Sequence, residues 1–463
     1  MKNKKIYLIF IAILLCSTTF AQHPQINRTM NWFFGLHWVG TNFNSDEVEF
    51  LENLGWFALE ACSSISDKEG NLLFYTNGEF VFNSTHWLMA GIDLFDDNTW
   101  LNGWTHSAMQ GTLILPQPGN DSLYYIFTSD SFESFDEGHL HRGLCYSMVN
   151  MNKDNGYGKI VELNTPLLDS VGESVIATIH NNGTDYWLIS SNPTGKLYSW
   201  LIDETGISGP INEFQSTNIN CPGAWGKKNI QFLKFSPRGN LIFKGSLCWS
   251  NEGYASHSLM GFNNITGIFE FEGGTKFQNP EIILETFQDT TIVLWTRASF
   301  SPSGNYLYTI KQMSLHPHWL PSVIERYKID EPIDEDNIIN SKELFYTSDN
   351  GVFYMFQNTP HGNMFVSGSR GSSTTQSGNK IHVIHNPNSE DYAYLEENVY
   401  DLSEIYDAPY SPVGPYPSTS FCFNNTVEAW LYNDNEITTY KSAIAKQNRI
   451  IYFIRTQVMV LLC

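Results

Sequence analysis

Positive charge is scarce in this chain. Lys and Arg number 26 against 48 Asp and Glu, a formal charge of -22 at pH 7. A surface of that sign repels nucleic acid and anionic lipid headgroups, so neither is expected as a partner. Long apolar runs are missing too. The run Ile6 to Cys16 falls well short of the roughly 20 residues a spanning helix needs, so no transmembrane anchor is expected. No apolar spacing supports a helix of three or more turns, and only 49–60 and 441–450 have room for a short one. HExxH, GxSxG and a Gly-rich loop running into a helix are all absent, which leaves zinc peptidase, α/β-hydrolase and nucleotide-binding readings without support. The seven cysteines include no CxxC pair, which argues against structural zinc.

The N-terminus reads as an export signal. Lys2, Lys4 and Lys5 precede the apolar run, and Thr19-Phe20-Ala21 fits a small-x-small cleavage site before Gln22, so residues 1–21 are expected to be a signal peptide. Its removal takes three lysines and no acid, and -22 becomes -25. The expected address is periplasmic, cell-surface or extracellular. Disulfides are permitted there. Of Cys62, Cys145, Cys221, Cys248, Cys422 and Cys463, the pair flanking one repeat, Cys221 and Cys248, is the first candidate for a bridge. Buried free thiols are the other reading.

What the chain does have is aromatic residues, at 14%, and a recurring hairpin. A short apolar strand enters a tight polar turn ending in Gly, and an aromatic-rich strand follows. Phe235-Ser236-Pro237-Arg238-Gly239-Asn240-Leu241 and Phe300-Ser301-Pro302-Ser303-Gly304-Asn305-Tyr306 are the clearest copies. Looser ones begin at Ile65, Leu115, Ile179 and Thr359. In each turn Gly supplies a positive φ, and in the clearest two Pro fixes the residue before the corner. Apolar groups occur on both alternations of the strand Ile230 to Phe235, as a sheet sandwiched between two neighbours requires. Units of this size in an all-β chain predict a β-propeller of six or seven four-stranded blades. A seventh blade would come from Tyr410 to Leu431, alone or paired with Trp32 to Trp38. The propeller domain is placed at 32–432. The segment 433–463 has a different texture, with no acid after Glu436 and the apolar end Val458 to Cys463. It is read as an atypical tail, either an extra edge strand or an abnormal terminus.

Several stretches carry a resemblance. Trp32-Phe33-Phe34-Gly35, then Ser64-Ile65-Ser66-Asp67-Lys68-Glu69-Gly70-Asn71, Met109-Gln110-Gly111-Thr112 and Asn182-Gly183-Thr184-Asp185-Tyr186-Trp187 resemble the N-terminal propeller-like region of secreted Bacteroidota proteins, over roughly residues 32 to 405. Relatives there often continue into PKD-like modules and a C-terminal domain read by the type IX secretion system. Neither pattern is seen here. The resemblance implies a propeller and export, and it brings no catalytic residue.

Candidate sites follow from residue chemistry. Trp87, Trp100, Trp104, Trp225, Trp249 and Trp319 lie in turn-rich segments, where a flat apolar ring with an N–H suits a glycan or protein surface. They also fit as caps on blade ends. His139 and His141 share one side of an extended strand and form a candidate site for a divalent metal, with His316 and His318 behind them. Otherwise no cofactor is expected. The acid-rich loops Asp93 to Asn98 and Asp330 to Asn337 lack a calcium-loop pattern and read as solvated surface. Asp67, Glu173 and Asp185 are candidates to face a central channel as glycosidase carboxylates. The expected function is a secreted binding module with a protein or glycan ligand. The alternative is a propeller glycoside hydrolase or lyase.

Overall fold

The computed structural model describes residues 25–432, except 36–38, 52–57, 59, 103–107, 132–141, 217–228, 249–253, 272–278, 289–291, 316–317, 320–321, 349–352, 369–379, 403–422 and 424. At 229–231, 247–248, 254, 287–288, 292–296, 312–315 and 318–319 it describes the backbone alone.

Seven antiparallel sheets follow one another along the chain, each built from consecutive strands. They span residues 31–51, 63–83, 112–168, 175–215, 229–288, 292–347 and 353–401, numbered here as blades 1 to 7. Among the described residues, blades 1 and 2 have three strands and blades 3, 4, 5 and 7 have four. Blade 6 adds a two-residue strand, His318–Trp319, to its four. The first strands of successive blades lie against one another: Asn31–Phe34, Ser63–Ser66, Thr112–Pro116, Val175–Ile179, Asn229–Phe235, Ile292–Phe300 and Phe353–Asn358. The ring closes between blades 7 and 1, where His361 Nε2 meets Phe43 O at 3.0 Å. Phe43 and Phe365 also pack there, at 5.9 Å between ring centroids. Fully buried first strands and alternately exposed last strands, as in Val175–Ile179 against Tyr394–Asp401, place the axis and the rim. The fold is a seven-bladed β-propeller.

The six hairpins expected from the repeat are the first two strands of blades 2 to 7. Their glycines, Gly70, Gly119, Gly183, Gly239, Gly304 and Gly362, all have φ between 71° and 92°. In five of the six the turn closes by the same bond, such as Gly239 N to Ser236 O and Gly304 N to Ser301 O, both 2.8 Å, whereas in blade 3 Asn120 N donates to Gln117 O at 3.1 Å. The two-faced burial also holds. Phe232 and Phe243 pack into one apolar cluster, while Leu233, Phe235 and Ile242 pack into the cluster shared with blade 4. Each blade therefore shields its neighbours from water, which is the main stabilising term of such a ring.

One expectation needs correction. Residues 410–431 were expected to supply a blade strand. Blade 1 is built instead from Asn31–Phe34, Val39–Asn42 and Glu49–Leu51, and the described part of 423–431 lies elsewhere. Of the segment 49–60, which had room for a short helix, Glu49–Leu51 is strand and 52–57 and 59 lie outside the described residues. An α-helix among the described residues, α1 (Glu335–Asn340), was not anticipated. Asp334 caps it by accepting from Asn337 N at 3.1 Å, and Glu335 and Asp336 favour its first turn.

Candidate functional site

The axis of the ring is filled by the chain itself. Asn425 sits at the open ends of three first strands. Its N–H donates to Cys62 O at 2.8 Å, and its Nδ2 donates to Thr112 O at 2.8 Å and Val175 O at 3.0 Å. Its carbonyl accepts from the Ser63 hydroxyl at 2.8 Å. One asparagine thus joins blades 2, 3 and 4. The segment then runs toward the hairpin turns. Glu428 meets Lys234 Nζ of blade 5 at 2.6 Å, with both side chains 4% exposed. Gln357 Nε2 donates to the same carboxylate at 2.9 Å and Asn358 Nδ2 at 3.3 Å, both from blade 7. Lys234 also donates to Gln357 Oε1 at 2.9 Å. A buried charge pair is tolerated only when it is hydrogen-bonded in this way. The 3-10 turn Glu428–Leu431 packs against a second one, Ile26–Thr29, from the other end of the chain. Trp430 meets Tyr186 edge-on at 6.1 Å.

Beyond Asn425 toward the other mouth lies a second buried polar cluster. The Arg297 guanidinium stands 3.4 Å over the Tyr354 ring, and Tyr354 Oη donates to Glu60 Oε1 at 3.3 Å. Glu173 Oε2 accepts from Met109 N at 3.2 Å, and the Glu173 carbonyl accepts from the Ser129 hydroxyl at 2.6 Å. Burial pushes the Arg297 pKa down, and Tyr354, Glu60 and Glu173 oppose that. Burial drives the Tyr354 phenol well above its usual value, the wrong direction for an attacking phenolate.

The three acids proposed for the channel separate. Glu173 is at this buried cluster. Asp67 and Asp185 instead cap their own exposed hairpin turns: Asp67 Oδ1 accepts from Glu69 N and Asn71 N at 2.9 and 2.8 Å, and Asp185 Oδ2 accepts from Asn182 Nδ2 at 2.6 Å. The acidic loops behave likewise. Asp96 accepts from Asn98 N at 3.1 Å and Asp93 from Phe95 N at 2.9 Å.

Of the six tryptophans, Trp87 and Trp100 are described with side chains. Trp87 is 76% exposed, on the segment after the third strand of blade 2. Trp100 is half-buried, with Nε1 donating to Asp93 O at 2.8 Å and the ring edge-on to Phe80 at 4.9 Å. It behaves partly as a cap. Trp319 is described by backbone alone, and Trp104, Trp225 and Trp249 lie outside the described residues. So do His139, His141 and His316, and His318 is described by backbone alone. Among the described residues, no three His, Cys, Asp or Glu side chains are grouped to hold a metal ion. Cys62 and Cys145 are buried thiols outside any disulfide, each hydrogen-bonded to a backbone carbonyl, whereas Cys221, Cys422 and Cys463 and the Cys248 side chain are outside the description. Among the described residues no helix is long and apolar enough to cross a membrane.

Sequence reasoning missed a cavity of about 520 Å³ on the face that carries the hairpin turns. Arg238 and Asn305 line it from the turns of blades 5 and 6, Lys328 and Asp330 from the far end of blade 6, and Glu390 and Tyr392 from blade 7. Arg238 Nη2 donates to Asn305 Oδ1 at 2.6 Å. Lys328 Nζ lies 3.5 Å from Glu390 and 3.8 Å from Asp330. The signal available beforehand was the clustering of Asp, Glu and Asn in two corresponding loops, Ile329 to Asp336 and Asn386 to Asp391.

No family model and no curated protein matches the chain. Solved structures that align with it are distant. A lectin from Burkholderia pseudomallei is 11% identical, with 79% of this chain and 93% of that one covered and a TM-score of 0.41. A periplasmic gluconolactonase of Pseudomonas aeruginosa is 10% identical, with coverages of 76% and 91% and a TM-score of 0.40. The β-propeller domain of Cps50 from Myceliophteria thermophila is 11% identical, with coverages of 74% and 94% and a TM-score of 0.37. At these scores the order of the sheets, and not the likeness, defines the fold.

Proposed function

We propose that this chain is an exported, non-catalytic recognition propeller that binds a glycan or protein at the bacterial envelope or outside the cell. The observation that carries the reading is the segment 425–431 seated along the axis. Its Glu428 neutralises Lys234, and the carboxylates of Glu60 and Glu173 accept from Tyr354 and from backbone. A glycosidase needs two carboxyl groups about 5–10 Å apart across a space that admits a sugar ring. Peptide from Asn425 to Leu431 fills the axis on the hairpin-turn side of Glu60 and Glu173, and ligand contact is assigned to the faces of the ring. A rigid ring carrying variable loops suits recognition. The leader Lys2 to Ala21 and the resemblance to secreted Bacteroidota proteins favour export.

The test is incubation of the mature protein with a panel of polysaccharides, measuring both retention and release of reducing ends. Retention without release is expected. Reducing ends released by the wild type and lost in Glu173→Gln would replace this reading with the hydrolase.

A further inference from the structure

We infer that the cavity lined by blades 5, 6 and 7 is a saccharide site that takes a neutral, hydroxyl-rich ligand. The inference rests on the recognition reading and specifies where on the ring it acts.

Size comes first. At about 520 Å³ the cavity falls within the roughly 300–1,000 Å³ of small-molecule sites. Its walls are turn and loop residues, with Tyr306 and Lys328 from strand ends, held from beneath. Asn388 Oδ1 accepts from Ser303 N at 2.8 Å, and Arg326 donates to Ser389 O at 2.9 Å and Glu390 O at 3.2 Å, which ties the blade 7 loop to blade 6. The Arg326 guanidinium also covers the Tyr306 ring at 4.7 Å, so the floor is fixed before any ligand arrives. Pre-organised walls reduce the ordering cost of binding.

Charge then selects the ligand class. Four carboxylates, of Asp330, Glu331, Glu390 and Asp391, line the cavity with two cations, Arg238 and Lys328. With the chain itself at -22, a phosphate or other anion is repelled. A cationic ligand would meet Arg238 and Lys328 among the acids. A neutral polyol satisfies both signs: each hydroxyl donates to a carboxylate and accepts from a guanidinium or ammonium group. The carboxylates are held to do this, since Asn240 Nδ2 fixes Glu331 at 3.0 Å and Lys328 stands between Asp330 and Glu390. Tyr392 lines the cavity with 53% of its surface exposed, and Tyr394 two residues on is 52% exposed. An exposed phenol ring beside acids and amides offers the flat apolar face on which the C–H face of a sugar ring packs.

The experiment is calorimetric titration of the mature full chain with neutral hexasaccharides (malto-, cello-, xylo-, manno- and laminarihexaose) and, separately, a Lys-rich peptide. Wild type is expected to bind at least one hexasaccharide, at least tenfold more weakly in Tyr392→Ala and in Glu390→Gln, and unchanged in Trp87→Ala. Near-UV circular dichroism confirms that each variant keeps its packing. Binding that survives both cavity substitutions and falls in Trp87→Ala overturns the site and leaves the recognition reading standing. Binding of the peptide without any hexasaccharide overturns the ligand class. Binding of neither probe overturns the inference, while the polysaccharide retention assay judges the broader reading by itself.

Discussion

Lys234 and Glu428 lie 194 residues apart in sequence and 2.6 Å apart in space, each buried and each on a different side of the axis wall. One belongs to the first strand of blade 5, the other to the segment that fills the channel. Removing one partner leaves the other charge buried without compensation, at a cost of about 3–5 kcal/mol. Lys234→Ala and Glu428→Ala are each expected to destabilise the protein by that order in urea titrations. The double change to Met and Leu removes both charges, and it is expected to recover most of the loss. Additive losses in the double variant would mean that the pair carries no coupling.

Cys62 reports on the same segment. Its thiol donates to Phe423 O at 3.3 Å, directly before the axial stretch. In the native protein it is expected to react with a maleimide far more slowly than an exposed thiol. Asn425→Ala removes the side-chain bonds to Thr112 and Val175, so labelling at Cys62 should accelerate. Cys145 serves as the internal control, because burial pushes its thiol up to about 12 and it donates to Arg142 O at 3.1 Å. Site-resolved mass spectrometry separates the two. Equal acceleration at both sites would indicate global opening rather than release of the segment.

Acid should weaken the ring through its histidines. Burial lowers His257 to about 3, with Glu285 opposing and Lys311 and Lys342 reinforcing the shift. It lowers His382 to about 4, reinforced by Lys380. His382 Nδ1 accepts from Asn398 N at 3.1 Å, a bond available only to the neutral ring. An unfolded histidine titrates near 6.5, so below that value the unfolded chain takes up protons that the folded chain refuses. The stabilisation is whole above about pH 6.5 and is lost as pH falls toward the folded values. Between pH 7 and 5 each histidine is expected to remove about 2 kcal/mol. His257→Gln should narrow that difference by the same amount in denaturant titrations at the two pH values. An unchanged difference would show that His257 does not resist protonation.

The hairpin glycines are separable into backbone and packing effects. Gly183 has φ 78° with open space where a Cβ would stand, whereas at Gly239, φ 71°, a Cβ would fall 2.4 Å from Thr178 Oγ1 of blade 4. Gly183→Ala is expected to cost about 1–2 kcal/mol from the left-handed backbone alone. Gly239→Ala is expected to cost more, because the turn of blade 5 must move off blade 4. Thermal melts rank the two, and equal shifts would remove the packing argument.

The ring was legible because its parts are local. A turn with Gly at a fixed place and two strands with apolar groups on both faces are written in consecutive residues, and all six predicted hairpins are the inner pairs of blades. The seventh blade was harder to see, since the turn between Phe34 and Val39 does not share the pattern. The axial segment was misread as a strand because Val427, Ala429, Trp430 and Leu431 have strand composition. The signal that could have distinguished it was Glu428, a single acid inside an apolar run, matched by Lys234 inside another. Neither names its partner, because the pairing is decided by how seven blades meet. The cavity was illegible for the same reason, as its walls come from three blades. Glu173 lies buried with its carboxylate on Met109 N, while Asp67 and Asp185 have the spacing of turn caps and serve as such.

The central claim is that residues 425–431 occupy the axis of a closed seven-bladed ring, and amide hydrogen exchange of a peptide covering that stretch tests it most directly. Asn425 N bonds to Cys62 O at 2.8 Å and Trp430 N to Val427 O at 3.0 Å, both out of contact with bulk water. The account predicts protection comparable to that of the first strand of blade 4, Val175–Ile179, surviving until global unfolding. Exchange of that peptide at the rate of a free chain, with the blade strands still protected, would contradict it.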